Sequence, residues 1–245
     1  MSNSDTNVLA TSRMYDLHDN AFFNGKEWKS AGNTLENRPI MYRIISSKQE
    51  NAKNVLLIGG VHGNETEGVR FMEDFTREFV LNNNGKDLLF NLCVLPVLNP
   101  DGFVEFQRGN AAKIDLNRNM PTKDWTPIAS EPKYYPGPNP GSEPETVALL
   151  KILDMFKPDF IISFHSWKPM ININGPAMKF AEKIKEFLDM PIVEDIGYPT
   201  PGSLGTYAGW ERSIPTITLE FERGIDLNSV YQSAKKGILN SFTLL

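Results

Sequence analysis

The stretch VLLIGGVHGNE (residues 55–65) joins an apolar run to a histidine and a glutamate that lie three residues apart. The run Val55–Ile58 is typical of a buried strand, and His62 and Glu65 follow it where a helix is expected to begin. Residues three apart on a helix share a face, so the imidazole and the carboxylate can bind one ion. Taken alone, the pair could equally be a surface histidine beside a helix-capping Asn64 or Glu65.

Two further polar residues stand at the ends of apolar runs. His165 follows Phe160–Phe164, and Glu220 ends the β-branched run that begins at Thr216. Ligands bind at the carboxyl ends of parallel strands, so we expect both residues to lie in one crevice with His62. Two histidines and one glutamate are the ligand set of a catalytic zinc ion. A carboxylate in a core strand needs a partner or a role, and Glu220 is the candidate general base and general acid.

The composition limits the possible partners and the compartment. The chain has 245 residues, 40% of them hydrophobic, which is enough for one sizeable core. The net charge is −5, and no basic stripe indicates a nucleic acid or a membrane partner. Cys93 is the single cysteine, which excludes a disulfide within the chain. The N-terminus has no apolar signal core and no window approaches the roughly 20 apolar residues of a membrane span, so we expect a cytoplasmic protein.

From residue 41 onward, strand-like and helix-like segments alternate, which favours one α/β domain over residues 41–245 with a mainly parallel sheet. Residues 1–40 are polar and weakly patterned, and predict an N-terminal arm that includes a solvated His18. The predicted strands are Tyr42–Ile45, Val55–Gly59, Phe90–Val97, Phe160–Phe164, Ile171–Ile173 and Thr216–Phe221. The predicted helices are Glu65–Val80, Pro144–Phe156, Ala177–Leu188 and Ser229–Phe242. The Pro- and Gly-rich segment 120–142 predicts a long loop, either a rim or lid of the site or a passive surface loop.

The segment DLNRN at residues 115–119 adds candidates for substrate binding. Arg118 carries a planar, permanent charge suited to a carboxylate, and Asn117 adds neutral donors. Asp115 is a candidate partner for a metal-bound histidine, which generally needs a carboxylate or a carbonyl at its other nitrogen. The alternative interpretation of this segment is that Asn117 and Arg118 are surface residues and that Asp115 is a turn residue, with no role in binding.

In chain order, these motifs resemble the pattern of the zinc carboxypeptidase family. That pattern is H-x-x-E, then Asn-Pro-Asp-Gly, then Asn-Arg, then a lone His, then a Glu that ends a strand. The corresponding positions are His62 and Glu65, residues 99–102, Asn117 and Arg118, His165, and Glu220. Within the family the chain is most similar to the bacterial murein peptide amidases, through the strings at residues 115–119, 141–145 and 197–203. The resemblance extends from about residue 55 to about residue 240.

The resemblance implies a single α/β domain with a mixed, mostly parallel sheet of about eight strands and helices on both faces. It also implies one zinc ion per chain, bound by His62, Glu65 and His165. Glu220 would be the acid–base group. Asp115 matches the residue that supports the first histidine from behind the metal.

The resemblance also assigns the groups that hold the substrate. Arg108 matches the arginine that polarises the scissile carbonyl. Asn117 and Arg118 match the residues that bind the free carboxylate of the substrate, and Tyr198 is similar to the mobile tyrosine that closes over it. After the catalytic glutamate the murein amidases carry a proline-containing turn, whereas this chain has FERG at residues 221–224. That departure concerns the substrate and not the zinc chemistry.

The implied activity is hydrolysis of small murein-derived peptides in cell-wall recycling, at the bond between γ-D-glutamate and a diamino acid such as meso-diaminopimelate. A zinc acylase of the aspartoacylase or succinylglutamate desuccinylase type is an alternative, because H-G-x-E and D-L-N-R strings resemble those enzymes too. The string at residues 99–102 and the Thr-Leu-Glu ending at Glu220 count against it. A non-catalytic murein-peptide-binding protein is the other alternative, against which stands the complete catalytic set. Glu222 lies two residues beyond Glu220, toward the rim, where we expect a solvated acid.

Overall fold

The computed structural model describes residues 22–23, 25–81 and 88–245, so His18 lies outside the described residues. Within them, eight strands form one mixed sheet in the order β1-β2-β4-β3-β5-β8-β6-β7. The strands are β1 (Trp28–Asn33), β2 (Pro39–Ile45), β3 (Asn54–Ile58), β4 (Asn91–Leu95), β5 (Phe160–Trp167), β6 (Met170–Asn174), β7 (Ile192–Val193) and β8 (Thr216–Glu222). The central strands β4, β3, β5 and β8 are parallel, whereas the pairs β1–β2, β2–β4 and β6–β8 are antiparallel.

Helices cover this sheet and connect its strands. They are α1 (Thr66–Phe75), α2 (Pro100–Val104), α3 (Pro144–Phe156), α4 (Met178–Lys185) and α5 (Leu227–Ser241). Two segments, Thr76–Leu81 and Gly205–Trp210, form π-helical turns. Leu116–Arg118, Pro132–Tyr134 and Phe242–Leu244 form 3-10 turns. Among the helices that the structure describes, none combines the length and the apolar character that a bilayer crossing requires.

The sheet is buried on both faces because alternate strand residues belong to two separate apolar cores. In β3, Val55 and Leu57 point into one core, whereas Leu56 and Ile58 point into the other. Helices α1, α4 and α5 pack on the first face, and α3 packs on the second. This arrangement explains why the central strands read as continuous apolar runs. The predicted α/β fold, with helices on both faces of a mixed sheet, is confirmed.

The edge of the sheet differs from the prediction. The sequence predicts a polar arm over residues 1–40, but Trp28–Asn33 is an edge strand that pairs with β2. In this strand only Trp28 and Ala31 are buried, and the exposed positions between them are polar. An edge strand with so few buried side chains lacks the alternation that identifies a strand. Residues 28–33, which the sequence assigns to the arm, thus form part of the sheet.

Two buried carboxylates at the start of α3 hold the loop that precedes the DLNRN segment. The side-chain amide of Asn110 donates to Glu143 Oε2 at 2.7 Å and to Glu145 Oε2 at 3.0 Å. Asn110 Oδ1 in turn accepts hydrogen bonds from two backbone amides of its own loop. Burial raises the pKa of Glu145 to about 7, and its Oε1 atom has no hydrogen-bond partner among the described residues.

This burial predicts a pH-dependent gain in stability for Glu145→Gln. The folded protein holds the Glu145 proton more tightly than the unfolded chain does, so wild type loses stability as pH rises through about 7. Glutamine stays neutral, and we expect the variant to be more stable by roughly 1–3 kcal/mol at about pH 8, with little difference at about pH 4.5. Urea unfolding followed by circular dichroism at both pH values measures the effect. Glu50→Gln, at an exposed position, is the control; a gain that is equal at both pH values would contradict the prediction.

Candidate active site

His62, Glu65 and His165, which we call the ligand trio, meet at the carboxyl ends of two neighbouring strands. His62 lies in the turn after β3, Glu65 directly precedes α1, and His165 belongs to β5, which pairs with β3. One ligand atom from each residue lies within 4.8 Å of the others, and all three side chains are buried. The structure therefore brings together the residues that the sequence proposes as metal ligands.

The inner atoms of the trio converge. His62 Nδ1 lies 3.0 Å from Glu65 Oε1, His165 Nδ1 lies 2.9 Å from Glu65 Oε2, and the two Nδ1 atoms are 3.2 Å apart. The outer nitrogens have partners of their own: His62 Nε2 lies 3.0 Å from Asp115 Oδ1, and His165 Nε2 lies 3.0 Å from Ser163 Oγ. When the outer nitrogen of His62 donates to Asp115, its inner nitrogen turns a lone pair toward the other two groups. Lone pairs that face one another in this way fit a cation with nitrogen and oxygen ligands, such as zinc.

The charges around the trio favour ionised carboxylates. Burial opposes the charge of Asp115, but His62 and Arg108 hold the pKa of this carboxyl well below its usual range. Burial likewise opposes the charge of Glu65, and the two histidines hold its pKa well below the usual value. Both acids are thus present as carboxylates at neutral pH, the form that supports a metal ligand set.

Glu220 lies on β8 opposite His165 in the β5–β8 register, and it faces the cleft in front of the trio. Its Oε2 atom is buried and has no hydrogen-bond partner in the described part of the chain. Burial raises the pKa of Glu220 to about 7; Glu65 adds to this rise and His165 opposes it. A buried oxygen without a partner at the wall of a cleft is suited to bind water or substrate. Glu222, two residues further along, is exposed.

The cleft has a volume of about 430 Å³. It is lined by the trio and by every residue that the sequence proposes for substrate contact: Arg108, Asn117, Arg118, Tyr198 and Glu220. Lys133 and Tyr134 also line it, so the predicted loop 120–142 contributes to the rim. The expected site residues therefore share one cavity, although they come from segments far apart in the chain.

Arg108 connects the trio to the cleft. Its Nε donates to Asp115 Oδ2 at 3.0 Å and its Nη1 donates to Glu65 Oε1 at 3.2 Å. Two anionic partners hold the guanidinium in place, and it also lies 5.2 Å from the centre of the Tyr134 ring. An arginine fixed in this way next to the ligand trio can donate to a developing negative charge without first reorganising.

Arg118 and its neighbours form an aromatic wall of the cleft. The guanidinium lies 5.2 Å from the centre of the Tyr134 ring and 6.0 Å from that of Tyr198. Tyr198 in turn packs against Trp167, with ring centres 5.8 Å apart. Asn117 Oδ1 accepts a hydrogen bond of 2.9 Å from a backbone amide, which fixes the orientation of its carboxamide. This wall presents a permanent positive charge beside neutral donors, the combination that binds a carboxylate.

Several cleft residues were not anticipated from the sequence. Asn172 and Asn174 of β6 and Thr218 of β8 form a polar floor, and Asn172 pairs with Thr218 in the register of the two strands. The alternation of polar and apolar residues at positions 172–174 was the available signal. Ser163, the partner of His165, and Arg223, which also lines the cleft, carried no comparable signal.

Comparisons with known proteins point to one family. The zinc carboxypeptidase family matches residues 24–190. Murein peptide amidase A of Vibrio campbellii is 30% identical over 203 residues, which is 78% of this chain and 77% of that protein. The murein peptide amidase A of Escherichia coli K12 is 30% identical over 202 residues, 78% of this chain and 79% of that protein.

Solved structures show the same fold. The murein-tripeptide amidase of Escherichia coli O157 has a TM-score of 0.67 and 25% identity, and the match covers 90% of this chain and 92% of that one. Carboxypeptidase A of Helicoverpa armigera has a TM-score of 0.76 at 17% identity, with 98% and 78% covered. The family match includes the whole segment from His62 to His165, which contains the ligand trio. The chain belongs to the zinc carboxypeptidase family and is a hydrolase of that family.

Proposed function

We propose that the protein is a zinc-dependent amidase that cleaves murein-derived peptides at the γ-D-glutamyl–meso-diaminopimelate bond, in the cytoplasmic recycling of cell-wall material. The names of its relatives support the substrate class, since they are murein peptide or murein-tripeptide amidases. The observation that carries the proposal is one cleft that contains a ligand trio, a carboxylate with one buried and unpartnered oxygen, and an arginine–asparagine pair. These are the groups that amide hydrolysis beside a free carboxylate requires.

His62, Glu65 and His165 would hold one zinc ion per chain, with Asp115 and Ser163 orienting the two imidazoles. When bound, zinc supplies a Lewis acid for the scissile carbonyl and lowers the pKa of water. The protein's own part is to fix the ligands in place, since a carboxylate behind a metal-bound histidine sets its tautomer and strengthens it as a ligand.

Glu220 would transfer the proton. A water oxygen attacks the amide carbon, Glu220 takes the proton from that water, and the carbon–nitrogen bond breaks as Glu220 returns the proton to the leaving amine. Arg108 would donate to the carbonyl oxygen as its negative charge grows, a contribution of ~3–4 kcal/mol for one such donor. Both side chains border the same cleft, which supports this division of work.

Asn117 and Arg118 would bind the free carboxylate of the leaving diamino acid and so place the amide bond in register. Tyr198, which packs between Arg118 and Trp167, would cover the bound substrate. These roles would make the free carboxylate a requirement for turnover.

Mass spectrometry of L-Ala-γ-D-Glu-meso-diaminopimelate after incubation with zinc-loaded protein tests the proposed activity. We expect L-Ala-D-Glu and free meso-diaminopimelate. N-acetylaspartate and N-succinylglutamate, tested in parallel, should remain intact. Their hydrolysis in place of the tripeptide would favour the acylase alternative, and binding of tripeptide without turnover would favour a binding protein.

The first functional prediction concerns the metal. We expect His165→Ala to abolish stoichiometric zinc, because the variant loses one of three converging ligand atoms. His18→Ala is the matched control, since it removes a histidine that the sequence places outside the site, and it should keep its zinc. Elemental analysis of the purified proteins makes the measurement. Full zinc occupancy in His165→Ala would show that the ligand set is wrong.

A second prediction concerns substrate anchoring by Arg118. Lysine keeps the charge but loses the two-pronged hydrogen bond, so Arg118→Lys should lower kcat/KM on the tripeptide by at least ~10-fold. The same change should matter little for a tripeptide whose terminal carboxylate is amidated. Steady-state kinetics on both substrates make the comparison. Equal losses on the two substrates would remove Arg118 from this role.

A third prediction separates the two acids at the end of β8. Glu220→Gln keeps the size of the side chain but removes the base, and should lower kcat by at least ~100-fold with normal zinc content. Glu222→Gln is the matched control, because Glu222 is the exposed last residue of β8, and it should keep most of kcat. The reverse pattern, an inactive Glu222→Gln with a near-normal Glu220→Gln, would overturn the assignment.

A further inference from the structure

Arg223 lines the cleft but has no role in the reaction proposed above. It follows Glu220 by three residues and lines the same cleft, with 43% of its side chain exposed. Its Nη1 donates to the carbonyl of Asn64 and its Nη2 donates to the carbonyl of Ser166, both at 2.9 Å. Asn64 directly precedes Glu65, and Ser166 directly follows His165. The guanidinium therefore lies beside the ligand trio, next to the place where the scissile bond must lie.

The turn that carries Arg223 is held in place. The backbone amide of Gly224 donates to Glu67 Oε1 at 2.6 Å, and that of Arg223 donates to the carbonyl of Trp167 at 3.2 Å. The other oxygen of Glu67 accepts a hydrogen bond of 2.5 Å from Ser166 Oγ. Gly224 has a φ of 81°, a conformation that glycine adopts without strain. Because turn and side chain are already ordered, Arg223 would lose little conformational freedom on binding a ligand.

The charge of Arg223 is not neutralised by its hydrogen-bond partners, since both are backbone carbonyls. The carboxylate next to it is Glu65, whose Oε1 lies 3.5 Å from Nη2. That carboxylate is already shared with the two histidines and with Arg108. A guanidinium has five N–H donors, so donors remain for an anion in the cleft. Arg118 packs on the aromatic wall instead, so the two arginines contact different parts of the cleft.

The proposed substrate has a carboxylate on the acyl side of the scissile bond. In a γ-linked glutamyl residue the side-chain carbonyl forms the amide, which leaves the α-carboxylate free. An ordinary α-linked peptide has no free carboxylate at this position. The α-carboxylate is joined to the scissile carbonyl by a short carbon chain with a reach of about 5 Å when extended. An anion at that distance from the reacting carbon can meet a guanidinium that lies against the ligand trio.

We propose that Arg223 binds the free α-carboxylate of the γ-linked glutamyl residue and thereby selects isopeptide over ordinary peptide substrates. This inference rests on the proposed function. It makes Arg223 a specificity-determining residue, in contact with the substrate on the side opposite the leaving diamino acid. Arg118 and Arg223 would then each bind one of the two carboxylates that lie on either side of the scissile bond.

Two substrates that differ only in this carboxylate test the proposal: L-Ala-γ-D-Glu-meso-diaminopimelate and its α-carboxamide analogue, in which D-isoglutamine replaces D-glutamate. We expect wild type to prefer the carboxylate by about 10- to 100-fold in kcat/KM, the size of a charge-assisted hydrogen bond. In Arg223→Gln the preference should disappear through loss on the carboxylate substrate alone. Arg223→Lys should retain part of it. Arg77→Gln, which removes an exposed arginine of α1's π-helical extension, should keep the wild-type ratio.

The ratio of the two rates separates recognition from a structural role, because damage to the turn or to Glu220 would lower both rates together. Equal losses on the two substrates in Arg223→Gln would overturn the proposal. If wild type cleaves the carboxylate and carboxamide substrates with nearly equal kcat/KM, the proposal for Arg223 is overturned as well. This result does not depend on the folding of any variant, and it would leave the proposed function intact. If wild type cleaves neither tripeptide, the proposed function fails and the assignment of Arg223 fails with it.

Discussion

The buried carboxylate of Asp115 is the group on which the rest of the site depends. It contacts the outer nitrogen of His62 at 3.0 Å, accepts the Nε of Arg108 at 3.0 Å and accepts the backbone amide of Asn117 at 2.9 Å. A single anion thus orients a proposed metal ligand, the proposed carbonyl-binding arginine and the turn that carries the proposed carboxylate-binding pair. Full burial would be costly for a lone charge, and here several donors offset it. Loss of this one carboxylate would disturb all three functions together.

The topology of the sheet explains how residues far apart in the sequence meet in one site. The strands β3, β5 and β8 are adjacent and parallel, so the residues at their carboxyl ends become neighbours although His62 and His165 are 103 residues apart. Two-sided burial fixes the strand register, because a shift of one residue would move Val55–Ile58 into the wrong cores. The positions of the site residues are therefore set by the apolar cores on both faces of the sheet.

The sequence was sufficient for features that depend on local pattern or on strand ends. It predicted α3 with its observed bounds, and it predicted the residues that meet in the ligand trio. Edge strand β1 was missed because it buries only two side chains, and the two-residue β7 is too short to show a period. The hydrogen bonds of Arg223 join segments far apart in the chain, so they follow from packing and leave no pattern in any single segment. Ser163 contacts His165 from two residues away on the same strand, but a serine within an apolar run does not by itself indicate that role.

The polar floor of Asn172, Asn174 and Thr218 would favour polar over apolar side chains in the cleft. Asn172 is buried and bonded within the protein, whereas Asn174 and Thr218 are partly exposed. An apolar side chain laid over Asn174 and Thr218 would displace water from them without replacing its hydrogen bonds, at a cost of roughly 1–3 kcal/mol for each polar group left unpaired. A side chain with its own polar end replaces those hydrogen bonds. The floor would therefore disfavour apolar side chains through the cost of desolvating its polar groups, without any steric clash.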